Sequence, residues 1–279
     1  MVKCAKKLLV VIFCVFFAIL GTGFYINFKS EAILVPNMPG YAEAIAARNS
    51  NTGILIPNMP GYAEAIAARQ NSSCKKGIDV SYHNGDIDWQ AVKNSGIEFA
   101  IIRTSYGWSN WEKQTDKKLR ANISGAKAVG MPIGAYHYSY ATNTHEALLE
   151  AEFFINRLRW TQWEYPVFMD FEDKCHMTLS NSQRTGIVLT FLQKLKENGY
   201  YCGFYTFLNF QKYHLDMNRL SGHELWIAHW QPTCDCTSPY GMWQHTSDGS
   251  VPGIQGRVDL DYCYKDYPSI IKNSHYNGF

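Results

Sequence analysis

Asp170 and Glu172 stand two residues apart at the end of a short apolar run, Tyr165-Pro166-Val167-Phe168-Met169, with Phe171 between them and Asp173 after them. Side chains alternate along an extended strand, so the two acids share one face and Phe171 takes the other, with about 6.6 Å between the acids' alpha carbons. Two carboxyls in one partly desolvated space cannot both ionise freely. One is pushed to a raised pKa, and a raised carboxyl is what a general acid needs near neutral pH. The competing structural reading makes Asp170 the start of a turn and Glu172 the cap of the next helix, since acidic strand ends are common in α/β proteins. Whether further acids converge on the same place decides between them.

Convergence requires a scaffold that gathers strand ends. From Lys76 the chain alternates strand-like runs with helical stretches. Strands are expected at 77–81, 99–103, 132–138, 167–171, 201–205, 225–230, 242–245 and 258–262, from their short apolar or alternating runs. Helices are expected at 87–95, 116–129, 145–159 and 180–198, the last started by Ser180 and stopped by Gly199. Strands alternating with helices predict an α/β fold with a parallel sheet closed into a barrel. A complete eight-helix barrel does not fit in about 200 residues, so the expectation is a modified (β/α) barrel of TIM type with a β-rich closing part. Active sites of such barrels lie where the strands end. Asp79 lies in the first strand, Asp170 and Glu172 finish the fourth, and Asp259 and Asp261 lie in the last, which neighbours the first on closure. Acids from three strands on one rim favour catalysis over capping.

Tyr136, Tyr138, Tyr205, Trp230 and Trp243 fall at or near strand ends, where rings can stack on flat or ring-shaped ligands or pack in the core. His137 alternates away from its tyrosine neighbours and reads as a structural histidine.

Gly77-Ile78-Asp79-Val80-Ser81, Gly134-Ala135-Tyr136-His137-Tyr138, Asp170-Phe171-Glu172, Gly203-Phe204-Tyr205-Thr206, Leu225-Trp226-Ile227-Ala228, Trp243-Gln244 and Val258-Asp259-Leu260, in this order, resemble glycoside hydrolase family 25, the Chalaropsis-type lysozymes. The resemblance covers residues 76–267. It implies a modified β/α barrel that cleaves the β-1,4 bond between N-acetylmuramic acid and N-acetylglucosamine in peptidoglycan, without a cofactor. It casts Glu172 as the acid that protonates the leaving oxygen and Asp170 as its partner, and it matches Asp79 and Asp259 to the family's other active-site aspartates. Asp79, Asp259, Tyr136, Tyr138, Tyr205 and Trp243 are the expected substrate contacts. The chain departs from the family pattern at Ala228-His229-Trp230, where an aromatic residue commonly follows the alanine, and at Leu260-Asp261, where asparagine is usual. Two rival readings are a wall-binding module that keeps the cleft but turns over little, and a chitinase-like glycosidase, whose long acidic motif on one strand is absent.

The rest of the chain bears on place and partners. Lys3, Lys6 and Lys7 precede an apolar run from Leu8 to Ile26 broken by Gly21, Thr22 and Gly23, which predicts an export signal. Phe24, Tyr25 and Ile26 continue past the small residues, which favours a retained single-pass anchor, with the domain outside, over a cleaved and secreted form. The segment from Pro36 to Arg48 recurs letter for letter from Pro57 to Arg69, a repeat of 21 residues that reads as a spacer. The expected organisation is therefore leader 1–28, linker 29–73, catalytic domain 74–270 and tail 271–279, acting as a monomer on glycan strands. A net charge of +2, three of whose lysines lie in the leader, offers too few cations for nucleic acid. Outside the leader stand Cys74, Cys175, Cys202, Cys234, Cys236 and Cys263, an even number that predicts disulfides in an oxidising compartment; Cys234-Asp235-Cys236 has no usual zinc spacing.

Overall fold

The structure, a computed structural model, describes residues 74–279. The expected leader, anchor and repeat lie outside the described residues. Eight strands close into a barrel in chain order: β1 (Lys75–Val80), β2 (Phe99–Tyr106), β3 (Ile133–Tyr138), β4 (Val167–Asp170), β5 (Cys202–Phe207), β6 (Glu224–Ala228), β7 (Met242–Gly249) and β8 (Val258–Cys263). Strands β1 to β7 run parallel, and β8 runs antiparallel to both β7 and β1. Helices α1 (Trp89–Asn94), α2 (Leu119–Ala128), α3 (Thr144–Leu158), α4 (Asn181–Glu197) and α5 (Leu208–His214) fill the first connections, and α6 (Tyr267–Asn273) follows β8. Both connections from β6 to β8 lack an α-helix, which makes the closing part β-rich as expected.

Local chemistry explains these boundaries. Asn143 caps α3 by accepting from the Glu146 N–H, and Ser180 with Gln183 forms a reciprocal capping box on α4. Gly199 ends the α4 turn at φ 80°, a conformation that costs glycine little. α5 escaped the sequence reading because seven residues are too few to establish a helical period.

Alternation divides the strand residues between two cores. Ile78, Ala100, Ile102, Val167 and Met169 face outward and pack with α3 and α4 residues such as Phe154, Val188 and Phe191. Phe99, Ile101, Tyr136, Phe168, Tyr205, Trp226 and Met242 face inward and fill the barrel. Residues 271–279 join the base of the fold: Ile271 and Asn277 are fully buried, and the Asn277 amide donates to the carbonyls of Trp163 and Tyr165. Among the described residues no helix is long and apolar enough to cross a membrane.

The disulfide expectation is corrected. All six cysteines of the described residues are free thiols. Four of them spend their hydrogen on a backbone carbonyl: Cys175 on Tyr140, Cys202 on Leu192, Cys236 on Ser238 and Cys263 on Lys265. An even count made pairing possible, but the fold points four of the six thiols at backbone carbonyls.

Candidate active site

The carboxyl ends of β1 to β7 open onto a cleft of about 560 Å³. Asp79, Asp170, Glu172 and Asp259 line it, with Tyr136, Tyr138 and Tyr205 among its walls. Because β8 runs backwards, its beginning rather than its end meets this rim. Asp259, its second residue, stands directly opposite Asp79 of β1. The acids thus come together from three elements, in agreement with the expectation from sequence.

The segment carrying the central pair is held from both sides. The Ser139 N–H donates to the Asp170 carbonyl at 2.9 Å, the Phe171 N–H to the Tyr205 carbonyl at 3.0 Å, and the Thr206 hydroxyl to the Phe171 carbonyl at 2.8 Å. The Phe171 ring turns away from the acids and stacks on His176 with centroids 3.8 Å apart. Asp170 and Glu172 are thereby left facing the barrel interior. Asp170 is buried, whereas Glu172 is partly exposed to the cleft.

Burial dominates the electrostatics. It pushes Glu172 up to about 7, with Asp259 and Asp173 adding to the rise and the Tyr205 hydroxyl opposing it. Burial and then the neighbouring Glu172 charge hold Asp170 well above the ordinary carboxylate range, against the pull of Arg103. Asp79 is raised by burial and by Asp259 and Asp261, and Asp259 is raised by burial to about 6. Asp170 Oδ1 and Glu172 Oε2 are buried without a hydrogen-bond partner among the described residues. Asp173 behaves differently: burial would raise it, but bonds from the Cys175 N–H and the Tyr138 hydroxyl outweigh this and hold it below its usual value. Burial and then Asp173 push the Cys175 thiol up to about 12, which disfavours the thiolate that a nucleophile needs.

Gln244 is the hub of the remaining polar contacts. Its Nε2 donates to Asp79 Oδ2 at 2.8 Å, while its Oε1 accepts from the Tyr205 hydroxyl at 3.0 Å and from Trp230 Nε1 at 2.9 Å. The Tyr205 hydroxyl therefore lies between Gln244 and Glu172 and has one hydrogen for the two. Arg103 also reaches the cleft; its Nε donates to Asp116 at 2.9 Å and its guanidinium lies over the Tyr82 ring at 5.0 Å.

Trp243 does not join them. Its indole is nearly buried in the outward core, with Nε1 donating to the His229 carbonyl and its ring beside Tyr262, so its expected sugar contact is corrected. On β7 the side chains alternate, and it is Gln244 that points inward. Trp230, 45% exposed at the rim, is the tryptophan available to a ligand. Gln244, Arg103 and Trp226 were missed as site residues; the phase of alternation about Asp79 and Tyr205 is the signal that would have found them. His137 is fully buried outside the cleft, its Nδ1 2.9 Å from the Ser105 hydroxyl, as a structural histidine should be.

The arrangement offers a carboxyl that is partly protonated at neutral pH, a buried carboxyl two residues away and aromatic walls. That set suits acid-assisted cleavage of a polar polymer. The model described as "Glycosyl hydrolases family 25" matches residues 78–254. The autolytic lysozyme of Clostridium acetobutylicum is 34% identical over 191 residues, covering 67% of this chain and 55% of that protein. Lysozyme M1 of Streptomyces globisporus is 28% identical over 209 residues, covering 68% and 67% of the two chains. Among solved structures, the bacterial lysozyme from Streptomyces coelicolor superposes with TM-score 0.64 at 25% identity, covering 73% of this chain and 99% of that one. The modular autolysin LytC from Streptococcus pneumoniae, solved with a synthetic peptidoglycan ligand, gives TM-score 0.61 at 28% identity, over 68% of this chain and 46% of that one. The match thus spans about half the length of the Clostridium protein and of LytC.

Proposed function

The chain belongs to glycosyl hydrolase family 25, and from that premise we propose that it is a peptidoglycan hydrolase of the muramidase type, cleaving the β-1,4 bond between N-acetylmuramic acid and N-acetylglucosamine. The observation that carries this reading is Glu172: a carboxyl open to the cleft, raised to about 7, beside the more deeply buried Asp170. Two carboxyls so placed oppose each other's ionisation, so near neutral pH the pair holds about one proton between them. Glu172 is the member that can hand it to a bound glycan. As the proton reaches the glycosidic oxygen and the bond opens, positive charge grows on the sugar ring, and the carboxylate charge of Asp170 meets it. Asp79 and Asp259 line the same cleft as substrate contacts, with Tyr136, Tyr138 and Tyr205 as its walls. The names of the lysozyme relatives, and the peptidoglycan ligand of LytC, support this choice of polymer.

The same reading places the domain outside the cell as a monomer, tethered through the apolar leader or released by its cleavage. Purified peptidoglycan and chitin, offered separately, test the assignment. Reducing ends should appear from peptidoglycan and not from chitin. Retention on peptidoglycan with no new reducing ends would instead identify a wall-binding module.

A further inference from the structure

Glu150 interrupts the apolar stripe of α3. The buried face of that helix carries Ala147, Ala151, Phe154, Ile155 and Leu158, at the three- and four-residue spacing of a side packed on the barrel, and Glu150 stands within it at 0% exposure. An apolar side chain would complete the stripe, and a buried carboxyl is costly unless its oxygens are bonded. Both are. Oε1 accepts from the Tyr140 N–H at 2.8 Å, and Oε2 accepts from the Ser139 hydroxyl at 2.5 Å. His137 Nε2 lies 3.7 Å from Oε2, beyond hydrogen-bond range, and its Nδ1 is engaged with Ser105. The carboxyl is therefore committed to the two residues that follow Tyr138 at the end of β3.

That end of β3 holds the acid-bearing segment at two points. The Ser139 N–H donates to the Asp170 carbonyl at 2.9 Å, which extends the β3–β4 ladder one step past the pairing of Tyr138 with Asp170. The Tyr138 hydroxyl donates to Asp173 Oδ2 at 3.1 Å. Asp170 lies at the first point and Glu172 between the two. The Ser139 hydroxyl is itself fixed from a second side, since it accepts from the Ala141 N–H at 3.2 Å. A path of hydrogen bonds thus runs from Glu150 on the outer helix, through Ser139, to the backbone of Asp170, although Glu150 itself is buried away from the cleft.

We propose that Glu150 is a positioning residue: by fixing Ser139 and Tyr140 it sets the height at which β4 presents Asp170 and Glu172 to the cleft. It touches no substrate and acts through Ser139. The consequence for cleavage rests on the muramidase reading; the fixing of the backbone at Ser139 does not.

Three variants test this: Glu150→Ala, Ser139→Ala and the two combined. In folded Glu150→Ala, kcat on soluble peptidoglycan fragments should fall on the order of 10–100-fold with KM little changed, because a displaced acid weakens the chemical step rather than binding. Ser139→Ala cuts the same path at its middle and should lose on the order of 10-fold. The combined variant should be no worse than Glu150→Ala alone, since members of one path do not add. Losses that multiply in the combined variant, or a parental kcat in folded Glu150→Ala, would overturn the proposal. Amide exchange gives a reading that does not depend on cleavage. In Glu150→Ala the residue 139 N–H should exchange on the order of 10-fold faster, while the amides of β1 and β2 keep their parental protection. Unchanged exchange at residue 139, or an equal rise throughout the barrel, would count against a positioning role. Should Glu150→Ala not fold, Ser139→Ala carries both readouts under the same criteria. If the parent releases no reducing ends, the muramidase reading falls while exchange at residue 139 still decides the placement.

Discussion

Two glutamates inside the same barrel live under opposite conditions. Glu224 begins β6 at the amino end, and both its oxygens are served: Lys265 Nζ lies 2.9 Å from Oε1 and 2.8 Å from Oε2, and the Tyr201 hydroxyl donates to Oε2 at 3.0 Å. Gly241 leaves the room for this cluster, since a Cβ there would come within 1.8 Å of the Tyr267 hydroxyl and 2.4 Å of Glu224. Glu172, at the carboxyl end, shares its space with three aspartates, and one of its oxygens has no partner among the described residues. The amino end closes the barrel with a satisfied ion pair. At the carboxyl end, crowded acids cost stability and hold a proton ready, the trade expected at a site that does chemistry.

Substitutions at the two ends should therefore act with opposite signs. Glu224→Gln removes the charge that balances Lys265, and should lower stability by on the order of 2–3 kcal/mol, below the full cost of breaking a buried pair because the lysine is partly exposed. Urea unfolding would check this, and an unchanged midpoint would show that the amino end is not the stabilising one. Asp170→Asn should do the reverse. The native Glu172–Asp170 pair keeps about one proton that the unfolded chain lacks, so stability drops as pH climbs above about 4. The variant should melt with the parent near pH 4 and above it at pH 7–8, by on the order of 1 kcal/mol or about 2–4 °C, while losing most cleavage. A smaller effect concerns the Tyr205 hydroxyl, which opposes the rise of Glu172. A general acid works only while protonated, so kcat/KM should fall as pH rises through about 7. Tyr205→Phe should move that limb to higher pH, and a profile unchanged in position would remove Tyr205 from the account.

The legibility of the molecule divides in a similar way. The barrel could be read because alternation and apolar runs mark strands directly, and the convergence of Asp79, Asp170, Glu172 and Asp259 followed from it. The direction of β8 was not read, although the connection from Gly249 to Val258 is too short for the crossover a parallel strand needs. That reversal is what puts Asp259 opposite Asp79. Trp243 and Gln244 were exchanged for a related reason: adjacent residues on a strand face opposite sides, and the choice between them needs a phase fixed by neighbouring strands. The cysteines yielded nothing beyond their number, since pairing depends on distances that only the folded chain supplies.

The central claim is that the crowded end of the barrel exists to present a proton from Glu172, and Glu172→Gln tests it most directly. The amide keeps the size of the acid and has no proton to transfer. Release of reducing ends from purified peptidoglycan, measured beside thermal unfolding of the same samples, should fall by about 10²–10⁴ while the unfolding midpoint at neutral pH is unchanged or higher. Cleavage close to the parent rate by a folded Glu172→Gln protein would contradict the claim and move the acid role to another carboxyl of the cleft.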